Sequence, residues 1–240
     1  MELNPTEVRM VQLTGLAREY WDRAVAAGRI SPSTDGRFIN PIPPSSAYLR
    51  TRLPSVSPNC HFLDDFLFKV IYDQQQVPYG CSACFKLKIE FPNLRGLVAI
   101  QKILELTNYA YKLGVNFPDE QSQGIFTAFL YLDGLESAQA AERDIRDKVG
   151  VNAILVGMPL QFSLMRGCSH FQTTCGSPDT WRFDKSLVEV ETQLKPLFHQ
   201  EQGLQKTYKM RKVETMVQWI MFARQIGDDT YLEFTNNQPL

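Results

Sequence analysis

Histidine is scarce in this chain, with three among 240 residues. Zinc hydrolysis and acid–base chemistry at neutral pH draw heavily on that side chain, so both are poorly supplied. Net charge is equally thin, at −1 from 25 Lys+Arg against 26 Asp+Glu. The chain as a whole therefore builds no field that would gather nucleic acid or an anionic membrane. No apolar run approaches the ~18 residues of a membrane-spanning helix. The longest, around Ile125–Leu132 and Ala153–Leu164, are short and interrupted. The start, Met1-Glu-Leu-Asn-Pro, has neither a basic nor an apolar region of the secretory kind, so a cytoplasmic protein with no membrane contact is expected. H-E-x-x-H, G-x-S-x-G, the Walker loop and G-x-G-x-x-G are all missing. No repeat is evident. Whether the chain is an enzyme stays open on these grounds.

What is present is an ordinary globular composition, 44% hydrophobic, with enough chain for one large domain or a smaller one with appendages. The first segment reads as a helix. Asn4, Pro5 and Glu7 resemble an N-cap, a first-turn proline and a capping-box partner. Val8, Val11, Leu16, Tyr20, Ala24 and Val25 are its apolar positions, and Gly28 is its stop. Residues 31–60 hold six of the fourteen prolines. That length suits an extended arm, and Phe38, Ile39, Ile42, Tyr48 and Leu49 are too apolar for a free linker. A helix over His61–Gln75 follows from Phe62, Leu63, Phe66, Leu67, Val70 and Ile71.

The clearest strand is Phe85–Phe91, where Phe85, Leu87, Ile89 and Phe91 alternate with Lys86, Lys88 and Glu90. Pro92-Asn93 opens a helix expected to run through about Leu113. Ile125–Leu132 is expected as a central strand because its apolar run is nearly continuous. Asp133 and Glu136 suggest the cap of a helix over Ser137–Val149. Ala153–Val156 is expected as a third strand, with Leu160–Met165 as its partner or extension. The order β-α-β-α-β places the fold in the α/β or α+β class, and a ferredoxin-like or otherwise split sandwich is the expected architecture. Three regions follow: residues 1–60 as helix and arm, 61–184 as the central domain, and 185–240 as a C-terminal helical pair. Val213, Met216, Val217, Ile220 and Met221 mark the final helix, which ends at Gly227. Trp21 and Trp219 are expected in the core, and Trp181 over the second cysteine segment.

The sharpest chemical signal is cysteine. Cys81-Ser-Ala-Cys84 is a C-x2-C, and Cys168 and Cys175 are spaced C-x6-C. Each pair lies beside an expected strand. If the two strands neighbour each other antiparallel, both pairs reach one rim, where four thiolates suit a tetrahedral metal or a cluster. Gly80, Gly167 and Gly176 flank them and would let backbone N–H groups turn toward sulfur. A strand rather than a helix follows the C-x2-C, which disfavours a redox dithiol. Zinc is favoured as a structural staple, with an iron–sulfur cluster in electron transfer or redox catalysis as the alternative. Buried apolar packing is the plainer alternative for all four thiols. His170 lies between the second pair and is more simply a loop residue than a ligand. Cys60 stands apart, and Cys60-His61 is an unsuitable nucleophile–base pair. The expected activity is protein–protein interaction, through the arm and the final helix, in a larger assembly. A nucleic-acid-binding module, using Lys206, Lys209, Arg211 and Lys212 with Arg50 and Arg52, is the less favoured alternative.

Overall fold

The structure, a computed structural model, describes residues 14–27, 48–51, 76–115, 126–167, 169–194 and 208–239. Packing divides the chain into two interleaved units. One comprises Met1–Pro44, Ser55–Ser82 and Gly167–Gln205; the other comprises Ser45–Pro54, Ala83–Arg166 and Lys206–Leu240. The expected helix at His61–Gln75 lies outside the described residues, as does the arm apart from Tyr48–Thr51.

The second unit is a five-stranded antiparallel sheet with helices. Its strands are β1 (Tyr48–Thr51), β2 (Cys84–Phe91), β3 (Ala110–Val115), β4 (Phe126–Asp133) and β5 (Gln161–Arg166), ordered β1-β3-β4-β2-β5. Alternation in β2 has its physical cause in the register. Leu87, Ile89 and Phe91 stand opposite Leu130, Ala128 and Phe126 of β4. Tyr111, Leu113 and Val115 of β3 stand opposite the same three residues from the other side. Successive strand residues face opposite sides, so these rows make one apolar layer. It is the heart of the core.

Two expectations fail here. The helix that opens at Asn93 is Leu94–Glu105 (helix α2 of the chain, α1 being Gly15–Ala26 in the first unit), and it does not reach Leu113. The Thr107 amide and hydroxyl both donate to Leu104 O, at 3.0 and 2.8 Å, which closes the helix and frees the next residues to become β3. Ala153–Val156 is no strand. The Asn152 side chain accepts from the amides of Ile154 and Leu155, at 3.0 and 3.2 Å, so local turns replace a ladder. Leu155 alone of that stretch is buried apolar surface, while Ile154 and Val156 are exposed. The order is therefore β-α-β-β-α-β, β2-α2-β3-β4-α3-β5, with α3 being Leu135–Gly150. Its cap also differs from the expected Asp133: Gly134 is the N-cap, with φ +86°, and no side chain caps the helix.

α2 buries most of its surface, while α3 buries one stripe, Ala138, Ala141 and Ile145. Asn93 caps α2 by accepting from Gly96 N at 3.0 Å. A second acceptor comes from far along the chain. Asp228 Oδ2 accepts from Leu94 N at 2.7 Å, and its Oδ1 accepts from the amide and hydroxyl of Thr230. A carboxylate on otherwise unmet first-turn N–H groups is favoured by hydrogen bonding and by the helix dipole. Asp228→Ala is expected to cost about 1–2 kcal/mol in chemical denaturation. Asp228→Asn is expected to cost much the same, because its NH2 would face an N–H donor at one of the two positions. No loss in either variant would show that the carboxylate is immaterial to the cap.

The last long helix, α6 (Tyr208–Gln225; α4 and α5 are given below), buries Trp219 and Ala223 in this core, as expected for Trp219. Val213, Val217 and Met221 on the same helix are 63, 54 and 41% exposed. Among the described residues, no helix is long and apolar enough to cross a membrane.

In the first unit, α1 packs on α5 (Val188–Leu194). Its buried face is Ala17, Trp21 and Ala24, at helical spacing. Leu16 and Val25, expected on that face, are 49 and 37% exposed instead. Trp21 is core, as expected.

Candidate functional site

Cys81 closes a short 3-10 turn, Tyr79–Cys81, and is 4% exposed. Cys175 is the last residue of α4 (Ser169–Cys175). Far apart in sequence, the two belong to one small cluster. Val77, Cys81 and Phe171 are its buried members, and Cys175, Trp181 and Phe183 pack against them. The Cys175 thiol and the Thr174 hydroxyl share a hydrogen bond at 3.5 Å.

Trp181 is held over this cluster as expected, and the means are specific. Its indole N–H donates to Gly176 O at 2.8 Å. Its ring meets Phe171 and Phe183 edge to face, at centroid distances of 6.3 and 6.5 Å. These are favourable quadrupole geometries. Gly167, at φ +71°, lies directly against the indole: a methyl group there would clash with the ring. Glycine is needed at that position for both its backbone angle and its missing side chain.

The sequence-predicted ligands are placed as follows. Cys81 and Cys175 come together in the first unit. Cys84 is the first residue of β2, opposite Asp133 of β4, in the second unit. Cys168, Cys60 and the side chain of His170 lie outside the described residues. Among the described residues, no three His, Cys, Asp or Glu side chains form a metal-holding group. β2 and β5 do neighbour each other antiparallel, with Phe85 opposite Arg166, as the rim geometry requires. Two of the three flanking glycines, Gly80 and Gly176, behave otherwise than expected. Gly80 N–H donates to Glu191 Oε2 at 3.1 Å and Gly176 N–H to Gln172 O at 3.0 Å. Those two amides are committed to carbonyl and carboxylate oxygen, so they do not turn toward sulfur.

Sequence reasoning missed Glu191. This residue of α5 also accepts from Tyr79 N, at 2.8 Å and 112 positions away in sequence. No spacing motif joins it to the cysteines. Asp184, upstream of α5, accepts from the Ser186 hydroxyl and amide, at 2.6 and 2.9 Å. Those bonds hold its carboxyl below the usual range.

The face of the sheet opposite the core carries cations and rings. Lys86 lies over Tyr131 and Lys112 over Phe129, at 5.7 and 4.9 Å from the ring centroids. Lys88, 4% exposed, pairs with Glu90 at 2.9 Å. Lys212 of the expected basic cluster pairs with Glu105 at 2.5 Å. Each of these cations is engaged by a ring or a carboxylate. The other side chains of the expected basic cluster, Lys206, Lys209, Arg211, Arg50 and Arg52, lie outside the described residues. No family model, curated protein or solved structure matches the chain.

Proposed function

We propose that Cys81, Cys84, Cys168 and Cys175 hold one zinc ion as a structural staple, and that the chain works by protein–protein interaction in a larger assembly. The observation that carries this is that Cys81 and Cys175, far apart in sequence, belong to one small cluster with Trp181. Thiol donors in pairs suit zinc's tetrahedral preference, and a site closed by aromatic rings suits a structural rather than a catalytic ion. Zinc there would join segments whose buried members, among the described residues, are Val77, Cys81 and Phe171. The exposed Val213, Val217 and Met221 on a helix already packed on its other face support a protein partner. For the sheet unit, the order β3-β4-β2-β5 with two helical crossovers supports a ferredoxin-like arrangement.

Metal analysis of the purified chain tests the zinc proposal. About one zinc per chain is expected, falling in each of the four Cys→Ser variants along with stability. Unchanged metal content and stability in all four would overturn it. Brown protein containing iron and labile sulfide would instead establish the iron–sulfur alternative on the same residues.

A further inference from the structure

We infer that Glu191 is the positioning residue that sets the C-x2-C turn for ligation. For its metal-affinity consequence, the inference rests on the zinc reading above. The turn Tyr79–Cys81 begins with two amides that its own hydrogen-bond ladder cannot satisfy. Both are met by one carboxylate: Oε1 of Glu191 takes Tyr79 N–H at 2.8 Å, and Oε2 takes Gly80 N–H at 3.1 Å. Two further bonds lie inside the turn. Cys81 N–H donates to Pro78 O and Ser82 N–H to Tyr79 O, each at 2.9 Å. The orientation of Cys81 thus depends on a side chain from another element.

That element is anchored in turn. Val190 and Leu194 of α5 are buried, and Asp184 caps the short 3-10 segment before it. Gln193 of α5 accepts from Thr14 N at 3.2 Å. Glu191 is therefore aimed by a helix fixed on two sides. A two-pronged carboxylate fits two adjacent N–H donors, and such charge-assisted bonds are stronger than neutral ones. An amide cannot replace it. Glutamine has one accepting oxygen, and its NH2 would face the second amide donor to donor. Groups that orient metal ligands in this way typically change metal affinity 10–100-fold when replaced.

Two readouts on the full chain, as purified, test the inference. The first is the site-resolved rate of iodoacetamide labelling, read by mass spectrometry. In Glu191→Gln, Cys81 is expected to label about tenfold faster than in the wild type, with Cys175 unchanged, because the turn opens without its cluster. The second is zinc affinity by chelator competition, expected to fall at least about tenfold in Glu191→Gln and further in Glu191→Ala. Unchanged labelling of Cys81 in both variants would overturn the inference. Equal acceleration at Cys81 and Cys175 in Glu191→Gln would also overturn it, since Glu191 would then support the unit generally. If the wild type binds no zinc and Cys81 alone still labels faster, the positioning role stands and the zinc proposal fails. If the wild type binds zinc and Glu191→Gln binds it equally well, the proposal stands and the positioning role fails.

Discussion

Gly167→Ala is expected to lower the stability of the cysteine-bearing unit by about 3 kcal/mol. Two costs add. A non-glycine residue in the left-handed region costs roughly 1–2 kcal/mol. The added methyl must also displace the Trp181 indole, an overpacking cost of about 1–3 kcal/mol. Trp181 is not free to yield, because its N–H is bonded to Gly176 O and its ring meets Phe171 and Phe183. Thermal or denaturant unfolding followed by tryptophan fluorescence measures the loss. The double variant Gly167→Ala/Trp181→Leu separates the two costs. Beyond the loss caused by Trp181→Leu itself, adding the methyl in that background is expected to cost only the backbone share. A loss under about 1 kcal/mol for Gly167→Ala alone would show that indole and glycine are not in contact.

Trp219→Ala is expected to cost about 3–5 kcal/mol, the range for deleting a large buried side chain. Trp219 is 1% exposed and belongs to the cluster that includes Leu87, Ile89 and Phe126. On the same helix, Phe222 meets Phe126 edge to face at 6.5 Å, so the helix is bound to the sheet by more than one ring. Loss of the indole leaves a cavity that these neighbours close only in part. Val217→Ala on the exposed side of the helix serves as the control and is expected to cost well under 1 kcal/mol. Equal losses at Trp219 and Val217 in chemical denaturation would contradict the helix orientation described.

The legible parts of the fold were those with strong local periodicity. Leu87, Ile89 and Phe91 alternate because each faces the same apolar layer, with Phe85 in line and partly buried, and that pattern located β2 almost to the residue. The nearly continuous apolar run of β4 marked a central strand covered on both faces; it is central, between β3 and β2, but Phe129 and Tyr131 on the face away from the core are only partly buried. β3 was hidden because Tyr111 and Leu113 also suit an extension of the preceding helix. The deciding residue was Thr107, whose bonds to Leu104 O end that helix. Ala153–Val156 misled in the opposite sense. A short apolar run does not distinguish a strand from a turn, and Asn152 settled it with two side-chain bonds. At the candidate site, cysteine spacing singled out the thiols and the place of Trp181 after Pro178-Asp179 marked it as a loop anchor, whereas Glu191 had no signal at all.

The sequence by itself determined the scarcity of histidine, the two cysteine pairs, the strands β2, β4 and β5 and the helices α2, α3 and α6. Each follows from composition or from a period repeated within a few residues. Only the tertiary structure decided that β2 lies between β4 and β5, that Cys81 and Cys175 share one cluster, that Gly167 carries Trp181 and that Glu191 closes the C-x2-C turn. Those are relations between distant segments, selected by burial and hydrogen-bond satisfaction across the whole chain. A local pattern shows which face of an element is apolar, but the surface that covers that face is chosen by packing.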